Sequence, residues 1–263
     1  MESALEEVEF LARSANRVEV LRCLADGRYT RNDLAAATGA SQATLGRILA
    51  DYRERAWIRR VDGRYEATAT GALVADGVTD LLDVVETERA LRGVVEYLPT
   101  DAMDVDLRHL ADATITVPSG TRPDAPVKRD LDLIRGAETV TVFSHAFNEQ
   151  SLAAVAERVT AGEATFRGVF SSDAIDALAG DATLRRRLER LLDADDAEVR
   201  VCEGDVPVAA TVADGVVHLI LRDRNSVLRA SVDSDDEAVL EWAHDAFLGY
   251  WRDATPLERE TLR

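Results

Sequence analysis

The side chains best suited to contact a charged polymer lie between residues 30 and 65. Within residues 41–54, apolar residues recur at the i, i+3, i+4 and i+7 positions along one side of a helix, namely Leu45, Ile48, Leu49 and Tyr52. The opposite side carries the small residues Ala43, Gly46 and Ala50 around Arg47. Small residues allow a helix to enter the major groove of DNA, which is about 12 Å wide, and arginine binds guanine edges there. The pattern therefore predicts a DNA-recognition helix.

The residues around this helix extend the predicted surface and give it a positive charge. Ser41 and Gln42 lie at the N-terminal end of the helix, where backbone N–H groups favour phosphate. Residues 27–64 contain eight arginines and four acidic residues, a net charge of +4, although the whole chain of 263 residues has a net charge of -18. We expect double-stranded DNA to contact Arg31, Ser41, Gln42, Ala43, Thr44, Arg47, Arg53, Arg60, Arg64 and Tyr65.

A second group of polar residues follows two predicted strands in the C-terminal half of the chain. Ser144, His145 and Asn148 follow one strand, and Ser171 and Ser172 follow the next. Polar strand ends that lead into helix N-termini can bind an anion or a small molecule, so these residues predict a pocket for one of these ligands. Ordinary helix capping explains the serines and the asparagine equally well, and the histidine equally fits a structural role.

The sequence lacks the residue groups that catalysis or metal binding usually requires. It contains no glycine-rich phosphate loop and no His-Glu-x-x-His motif, and Cys23 and Cys202 lie far apart. The other histidines show no ligand-type spacing: His109, His218 and His244. A run of acidic residues predicts a solvent-exposed helix start at Asp233, Asp235, Asp236 and Glu237. We therefore expect no catalytic residue, no metal and no other cofactor.

The elements that position the predicted DNA contacts indicate a winged helix-turn-helix over residues 1–69. Residues 4–25 show helical spacing throughout and predict one helix. Local signals then mark the later boundaries: a capping box at Thr30 and Asp33, a left-handed helix end at Gly39, a cap at Ser41 and a hairpin turn at Asp62-Gly63. Three helices followed by a hairpin form this fold.

Residues 70–117 connect the predicted winged helix to the rest of the chain. The stretch 70–98 has a helical pattern and is too apolar for a solvated linker, because nothing local covers its apolar side chains. This helix either packs on the first helix or also pairs with a second copy of the chain. We favour a homodimer, with an interface formed by Val78, Leu81, Val85, Leu91 and Val95.

Residues 118–263 alternate between predicted strands and helices and form a second, effector-sensing domain. Three prolines and Gly120 mark a loop at 118–126, and a later hairpin turns at Asp214-Gly215. The alternation predicts an α/β layer whose sheet is parallel at first and antiparallel later. The chain as a whole is therefore expected to combine α+β and α/β folds: a winged helix, a linker helix and an α/β domain.

The charge composition is unusual in kind as well as in size. Lys128 is the only lysine, and 49 acidic residues stand against 31 basic ones. This favours a halophilic, archaeal type of protein whose acidity maintains solubility in a salt-rich cytoplasm, because a high-GC genome alone would not require the acid excess. The sequence shows neither an apolar stretch of about 18 residues nor a signal peptide, so we expect a cytoplasmic protein without a membrane partner.

Three stretches carry a family resemblance: TRNDLAAATGASQATLGRILADYRERAWI, LRHLADATITVPSGTRPDAP and AVLEWAHDAFLGYWRDA. In this order they resemble the haloarchaeal two-domain transcriptional regulators with a methanogenesis-regulator-type effector domain, over almost the whole chain. The resemblance implies an effector domain distantly similar to that of TrmB-type sugar-sensing regulators, with a phospholipase-D-like fold. Active phospholipase D enzymes pair a histidine with a lysine two residues on, whereas His145 is followed by Ala146 and Phe147. It thus implies a non-catalytic domain that senses a ligand or stabilises a dimer.

These observations together predict a homodimeric, sequence-specific DNA-binding transcriptional regulator and not an enzyme. Its expected partners are double-stranded DNA, a second copy of the chain, and a small-molecule effector or partner protein. One alternative is an adaptor of the transcription machinery that uses the winged helix for protein contacts. The other is a phospholipase-D-like hydrolase, for which the required residues are missing.

Overall fold

The computed structural model describes residues 3–146, 148–204 and 206–262. The chain divides into two compact units, Met1–Glu86 and Thr87–Arg263. Phe147, which enters the comparison with phospholipase D enzymes, lies outside the described residues. No helix in the described part of the chain is long and apolar enough to cross a membrane.

The first unit is built from short helices and a two-stranded hairpin. Its elements are α1 (Ala4–Ala12), α2 (Ala15–Asp26), α3 (Arg31–Thr38), α4 (Gln42–Glu54), β1 (Ile58–Val61) and β2 (Arg64–Ala67), followed by α5 (Ala69–Leu91). Their apolar sides enclose one core that includes Leu21, Leu34, Ile48 and Tyr52. The order of α2, α3, α4 and the hairpin is that of the predicted winged helix-turn-helix.

The prediction of one helix over residues 4–25 is wrong, because the chain breaks at Ser14 into α1 and α2. In an uninterrupted helix, the N–H of Ser14 would donate to the carbonyl of Phe10. That carbonyl instead accepts from Arg17 Nη1 at 2.5 Å, and the guanidinium lies over the Phe10 ring. The N–H of Ser14 donates to Leu11. The arginine side chain therefore replaces a helical hydrogen bond.

The other boundaries of the winged helix follow the local signals in the sequence. Thr30 and Asp33 form a reciprocal capping box at the start of α3, and Gly39 ends this helix with a left-handed φ of 68°. Ser41 caps α4 by accepting a hydrogen bond from the backbone of its first turn. Positive φ angles of 49° and 82° confirm the predicted hairpin turn at Asp62 and Gly63.

The second unit is a mixed sheet covered by helices. After the end of α5, its regular elements are β3 (Thr114–Thr116), α6 (Ala125–Gly136), β4 (Thr139–Ser144), α7 (Glu149–Thr160), β5 (Thr165–Ser171), α8 (Ser172–Gly180), α9 (Ala182–Leu192), β6 (Ala197–Cys202), β7 (Ala210–Ala213), β8 (Val216–Arg222), β9 (Leu228–Ser234), α10 (Glu237–Asp253) and β10 (Thr255–Pro256). Short 3-10 helices lie at Val95–Tyr97, Leu107–Leu110 and Arg259–Leu262.

Within the described residues, eight strands form one sheet in the order β10-β6-β5-β4-β7-β8-β9-β3. The neighbours β4, β5 and β6 are parallel, as expected of strands that alternate with helices. All other neighbouring pairs in this sheet are antiparallel, including the predicted hairpin of β7 and β8. The predicted change from parallel to antiparallel pairing along the chain is confirmed.

Each face of the sheet packs against helices and has its own core. One core combines side chains of α6, α7, α8 and α9 with the sheet and includes Leu152, Phe166 and Leu188. The other core includes Phe143 of β4 with Trp242 and Phe247 of α10. Because successive strand residues point to opposite faces, the alternate residues Val217, Leu219 and Leu221 of β8 all reach this second core.

Two elements of the second unit lie in segments for which the sequence predicts a loop or a connection. Helix α6 begins inside the proline-containing stretch, with Pro126 in its first turn, where proline costs little because no helical N–H bond is lost. Strand β3 lies within residues 70–117 and pairs with β9 at the edge of the sheet. The second compact unit accordingly begins at Thr87, inside α5.

Candidate DNA interface and ligand cavity

Helix α4 has one buried side and one exposed side, as its sequence pattern predicts. The buried residues are Leu45, Ile48, Leu49 and Tyr52, and the exposed residues include Ala43, Arg47, Ala50 and Arg53. Gly46 has a role that the sequence does not indicate. A Cβ at this position would lie 2.5 Å from Arg31 Nη2, so the glycine also makes room for an arginine of α3. The same guanidinium donates to the carbonyl of Gln42.

Polar side chains at the start of α4 are already hydrogen-bonded within the first unit. The Ser41 and Thr44 hydroxyl oxygens lie 2.9 Å apart. Gln42 Nε2 donates to Asn32 Oδ1 of α3 at 3.2 Å. A DNA contact by these side chains must therefore replace or share an internal hydrogen bond.

Glu66 of β2 organises the arginines of the hairpin. Its carboxylate accepts from Arg59 Nε at 2.6 Å and pairs with Arg28 through the other oxygen. The hydrogen bond from Arg59 lowers the pKa of Glu66 below its ordinary value, and the charge of Arg28 adds to the effect. Arg64 donates to the carbonyl of Arg28 at 3.2 Å and lies 3.7 Å from a carboxylate oxygen of Asp33. Arg59 and Arg64 are thus partly neutralised.

Three arginines of the predicted interface form neither an ion pair nor a side-chain hydrogen bond among the described residues, whereas Arg31 donates to the carbonyl of Gln42. Arg47, Arg53 and Arg60 are exposed, and none of them pairs with a carboxylate in the part of the chain that the structure describes. Arg60 instead lies over the ring of Tyr65, 5.5 Å from its centroid. Two of these charges belong to α4 and one to β1, the two elements expected to contact DNA.

Acidic residues of α1 lie beside the recognition helix, a neighbourhood that the sequence does not indicate. A groove of about 540 Å³ is lined by Glu6 and Glu9 of α1 and by Arg47 of α4, among others. Arg55, just after α4, donates to Glu7 of α1 at 2.7 Å. The negative charge of α1 therefore limits the positive surface of α4 on this side.

A small cavity in the second unit is enclosed by α6, α7 and strands of the sheet. Its volume is about 70 Å³, and most of its wall is apolar, including Leu152, Phe166 and Phe170. Two of the predicted ligand-binding residues, Ser144 and Asn148, line this cavity. The cavity therefore lies at the carboxyl end of β4, where the sequence predicts a pocket.

The other predicted ligand-binding residues are not in the wall of this cavity. His145 is exposed, and its Nδ1 lies 3.1 Å from the carbonyl oxygen of Val206. Ser171 caps α8, and Ser172 is the first residue of that helix. Asn148 also caps a helix, α7, besides lining the cavity. Capping accounts for Ser171 without a ligand.

Two charged residues of the cavity wall are missed by the sequence analysis. Asp130 of α6 is 6% exposed, and its Oδ2 accepts from Ser151 Oγ at 2.6 Å. Arg222 at the end of β8 donates from Nη1 to the carbonyl of Ser226 at 2.9 Å. Asp130 Oδ1 and Arg222 Nε are buried without a partner among the described residues. No motif connects these positions, since only the fold brings them to one cavity.

A buried charged group joins β8, β9 and α6. His218 Nδ1 lies 2.5 Å from Asp233 Oδ1, and Arg129 Nε donates to Asp233 Oδ2 at 2.5 Å. Burial raises the pKa of Asp233, but the hydrogen bonds from His218 and Arg129 outweigh it and leave this pKa below its ordinary value. The prediction of a solvated acidic run is wrong for Asp233, whereas Asp236 caps α10. Active phospholipase D enzymes have a lysine two residues after the histidine, whereas Ile220 is in that position after His218.

The residues predicted for the dimer interface differ in their exposure. Leu81, Val85 and Val95 are 46%, 43% and 39% exposed. Val78 is half-buried against the core of the first unit, and Leu91 is buried in the core of the second. The side chain of Leu91 is therefore not available to a second chain. The apolar surface of α5 is concentrated around residues 81–85.

The two units correspond to two known domain families. Residues 5–90 match the HVO_A0261 N-terminal domain. Residues 123–253 match the middle domain of the methanogenesis regulatory protein FilR1. The chain thus combines an HVO_A0261 N-terminal domain with a FilR1 middle domain, the composition of a two-domain regulator. The N-terminal match contains α4 and the hairpin, and the C-terminal match contains the cavity. Among the curated proteins, none matches this chain.

Some solved structures are similar to this chain at low sequence identity. The archaeal chromatin protein TrmBL2 is 13% identical over 97% of this chain and 100% of that chain, with a TM-score of 0.42. Nuc of Salmonella typhimurium, a phospholipase D family member, is 11% identical over 56% of this chain and 99% of that chain, with a TM-score of 0.44. NucT of Helicobacter pylori is 11% identical over 55% and 98%, with a TM-score of 0.42. At these TM-scores the similarities carry no argument about function.

Proposed function

We propose that this protein binds specific DNA sequences as a homodimer and responds to an effector. The observation that carries the proposal is the set of Arg47, Arg53 and Arg60, which are exposed and unpaired within the described residues. Arginines on a recognition helix and wing bind phosphates and guanine edges. The match of residues 123–253 to a domain of a regulatory protein supports the same function.

The charge distribution favours DNA over a protein partner of the winged helix. Residues 27–64 have a net charge of +4, from eight arginines and four acidic residues, within a chain of net charge -18. Attraction to phosphate weakens steeply as salt concentration rises. In a salt-rich cytoplasm, base contacts by Arg47 would therefore contribute a larger share of the binding free energy than phosphate contacts do.

Genomic occupancy tests this proposal directly. Chromatin immunoprecipitation with sequencing would compare Arg47→Ala with Arg59→Ala, because Arg59 already donates to Glu66 at 2.6 Å. We expect Arg47→Ala to abolish specific occupancy and Arg59→Ala to retain most of it. Unchanged occupancy in Arg47→Ala would contradict DNA recognition by α4 and favour an adaptor that uses the winged helix for protein contacts.

A homodimer would place two copies of α4 on two half-sites about 34–36 Å apart. The exposed apolar residues Leu81 and Val85 of α5 support this arrangement, because exposed leucine and valine side chains gain free energy when a partner covers them. Light scattering should show a wild-type dimer and a monomer for Leu81→Glu combined with Val85→Glu. Leu73→Glu is the matched control, since Leu73 is 71% exposed on the same helix. A wild-type monomer would contradict the dimer.

The effector response requires that ligand binding in the second unit changes the affinity for DNA. Such coupling is usually about 1–3 kcal/mol, roughly a 5- to 150-fold change. DNA affinity measured with and without a bound ligand tests it. A ligand that occupies the second unit and changes DNA affinity less than twofold would contradict this part of the proposal.

A further inference from the structure

The cavity of the second unit contains two opposite charges that do not meet. Asp130 and Arg222 both line it, and neither forms an ion pair with the other or with another charged side chain described by the structure. Each leaves one buried polar atom, Oδ1 of Asp130 and Nε of Arg222, without a partner among these residues. Buried polar atoms are almost always hydrogen-bonded. Both atoms therefore require a hydrogen-bonding partner from outside the described residues.

The wall around these two charges is apolar and encloses more than the space of a single water molecule. Leu152, Val155 and Phe166 contribute to it. The volume is about 70 Å³, several times the roughly 10–15 Å³ that one water needs but below the roughly 150 Å³ of a cavity that binds benzene, so only a small organic molecule fits. An apolar wall of this kind favours an organic molecule over an inorganic ion, because an ion would lose its hydration without compensation.

We infer that the cavity binds a small zwitterion with an apolar body, the chemistry of an apolar amino acid. Its ammonium group donates to Asp130 Oδ1, and its carboxylate accepts from Arg222 Nε. Both contacts are charge-assisted hydrogen bonds, which are stronger than neutral ones. The apolar body lies against the wall of the cavity. This inference gives a chemical class to the effector of the proposed function, and its regulatory meaning rests on that function.

Binding is measured by isothermal titration calorimetry on the full chain without DNA. The probes are the twenty standard amino acids and two half-ligands of alanine: propionate, which lacks the ammonium group, and ethylamine, which lacks the carboxylate. We expect saturable binding of at least one small apolar amino acid, with alanine as the first probe. For alanine, each half-ligand should bind at least tenfold more weakly. A half-ligand that binds as tightly as alanine overturns the inference, as does a panel in which no amino acid binds saturably.

Substitutions of Asp130 and Arg222 test whether the zwitterion binds in this cavity. Asp130→Asn keeps an acceptor for Ser151 Oγ and removes the charge, and Arg222→Gln removes the guanidinium. Each should weaken zwitterion binding at least tenfold. The matched controls are Asp132→Asn on α6 and Arg224→Gln after β8, which are exposed and should stay within twofold of the wild type.

Wild-type affinity in both Asp130→Asn and Arg222→Gln would overturn the assignment to this cavity. If circular dichroism shows that a variant does not fold, the half-ligand comparison on the wild-type chain still decides. Different results refute the inference and the proposed function. DNA binding without zwitterion binding removes the inference alone, and zwitterion binding without DNA binding removes the proposed function alone.

Discussion

Replacing single arginines of the first unit with glutamine should separate them into two classes. Arg47, Arg53 and Arg60 are exposed and unpaired within the described residues, so their charges are available to DNA. Arg59 is just as exposed but donates to Glu66 at 2.6 Å, so part of its charge is already compensated. We therefore expect Arg59→Gln to weaken DNA binding much less than the other three substitutions.

The size of the effect follows from counterion release. Each phosphate contact contributes about 0.9 to the slope of log affinity against log salt concentration, so three unpaired arginines contribute up to about 2.7 per bound copy. Replacing one phosphate-binding arginine should lower the slope by about 0.9. If Arg47 reads a base, its replacement should cost about 1–3 kcal/mol, roughly 5- to 150-fold in affinity, with loss of specificity at one base pair.

Fluorescence anisotropy at several salt concentrations measures both quantities on a duplex recovered from the immunoprecipitated DNA. Arg53→Gln and Arg60→Gln should each reduce the slope by about 0.9, and Arg59→Gln by less than half of that. The reasoning is refuted if Arg59→Gln reduces the slope as much as Arg53→Gln does. It is also refuted if Arg47→Gln leaves both the affinity and the slope at their wild-type values.

Three further predictions concern stability, each measured by urea unfolding without ligand or DNA. Asp130→Asn should stabilise the chain by about 1 kcal/mol or more, because it removes an unpartnered buried charge; lower stability would contradict the cavity geometry. Gly71→Ala should cost about 3 kcal/mol or more, since its Cβ would lie 1.9 Å from the Trp57 carbonyl oxygen. A Cβ at Gly77 would have no atom within 4 Å, so Gly77→Ala should stabilise the chain by about 0.5–1 kcal/mol. Equal effects of Gly71→Ala and Gly77→Ala would contradict the packing around Gly71. The pKa of Asp233 is lowered from 3.8, so ionised Asp233 contributes to the free energy of unfolding above pH 3.8, and this contribution is lost as the pH falls below that value. Acidification from about pH 5 to 3 should therefore reduce the difference in free energy of unfolding between the wild type and Asp233→Asn.

The winged helix could be predicted from the sequence because its determinants are local. A capping box at Thr30, a left-handed glycine at position 39 and a hairpin turn at Asp62-Gly63 each depend on residues close in sequence. The break between α1 and α2 could not be predicted from the sequence, although its determinants are equally local. It depends on how the Arg17 guanidinium folds back onto Phe10, and the apolar spacing of residues 4–25 gives no sign of this.

The candidate ligand site could be predicted only in part, for the opposite reason. Ser144 ends β4 and Asn148 follows it, and both line the cavity, where the rule that ligands bind at strand ends predicts a pocket. Asp130 and Arg222 carry its charges. Asp130 lies on α6, a helix that the sequence pattern does not predict, and Arg222 lies at the end of a hairpin strand. Sheet order alone brings β4, β7 and β8 side by side under α6, and sheet order has no local signature.

Both edges of the eight-stranded sheet are occupied by very short strands. β10 spans Thr255–Pro256 and β3 spans Thr114–Thr116. Short edge strands, and a proline without an N–H, leave little backbone for a second sheet to join, so they protect against edge-to-edge aggregation. This protection depends on residues 114–116, which precede the effector domain as the sequence delimits it. A fragment that starts at residue 118 would expose the long edge of β9, so it should self-associate, and isolated production of the domain should start before residue 114.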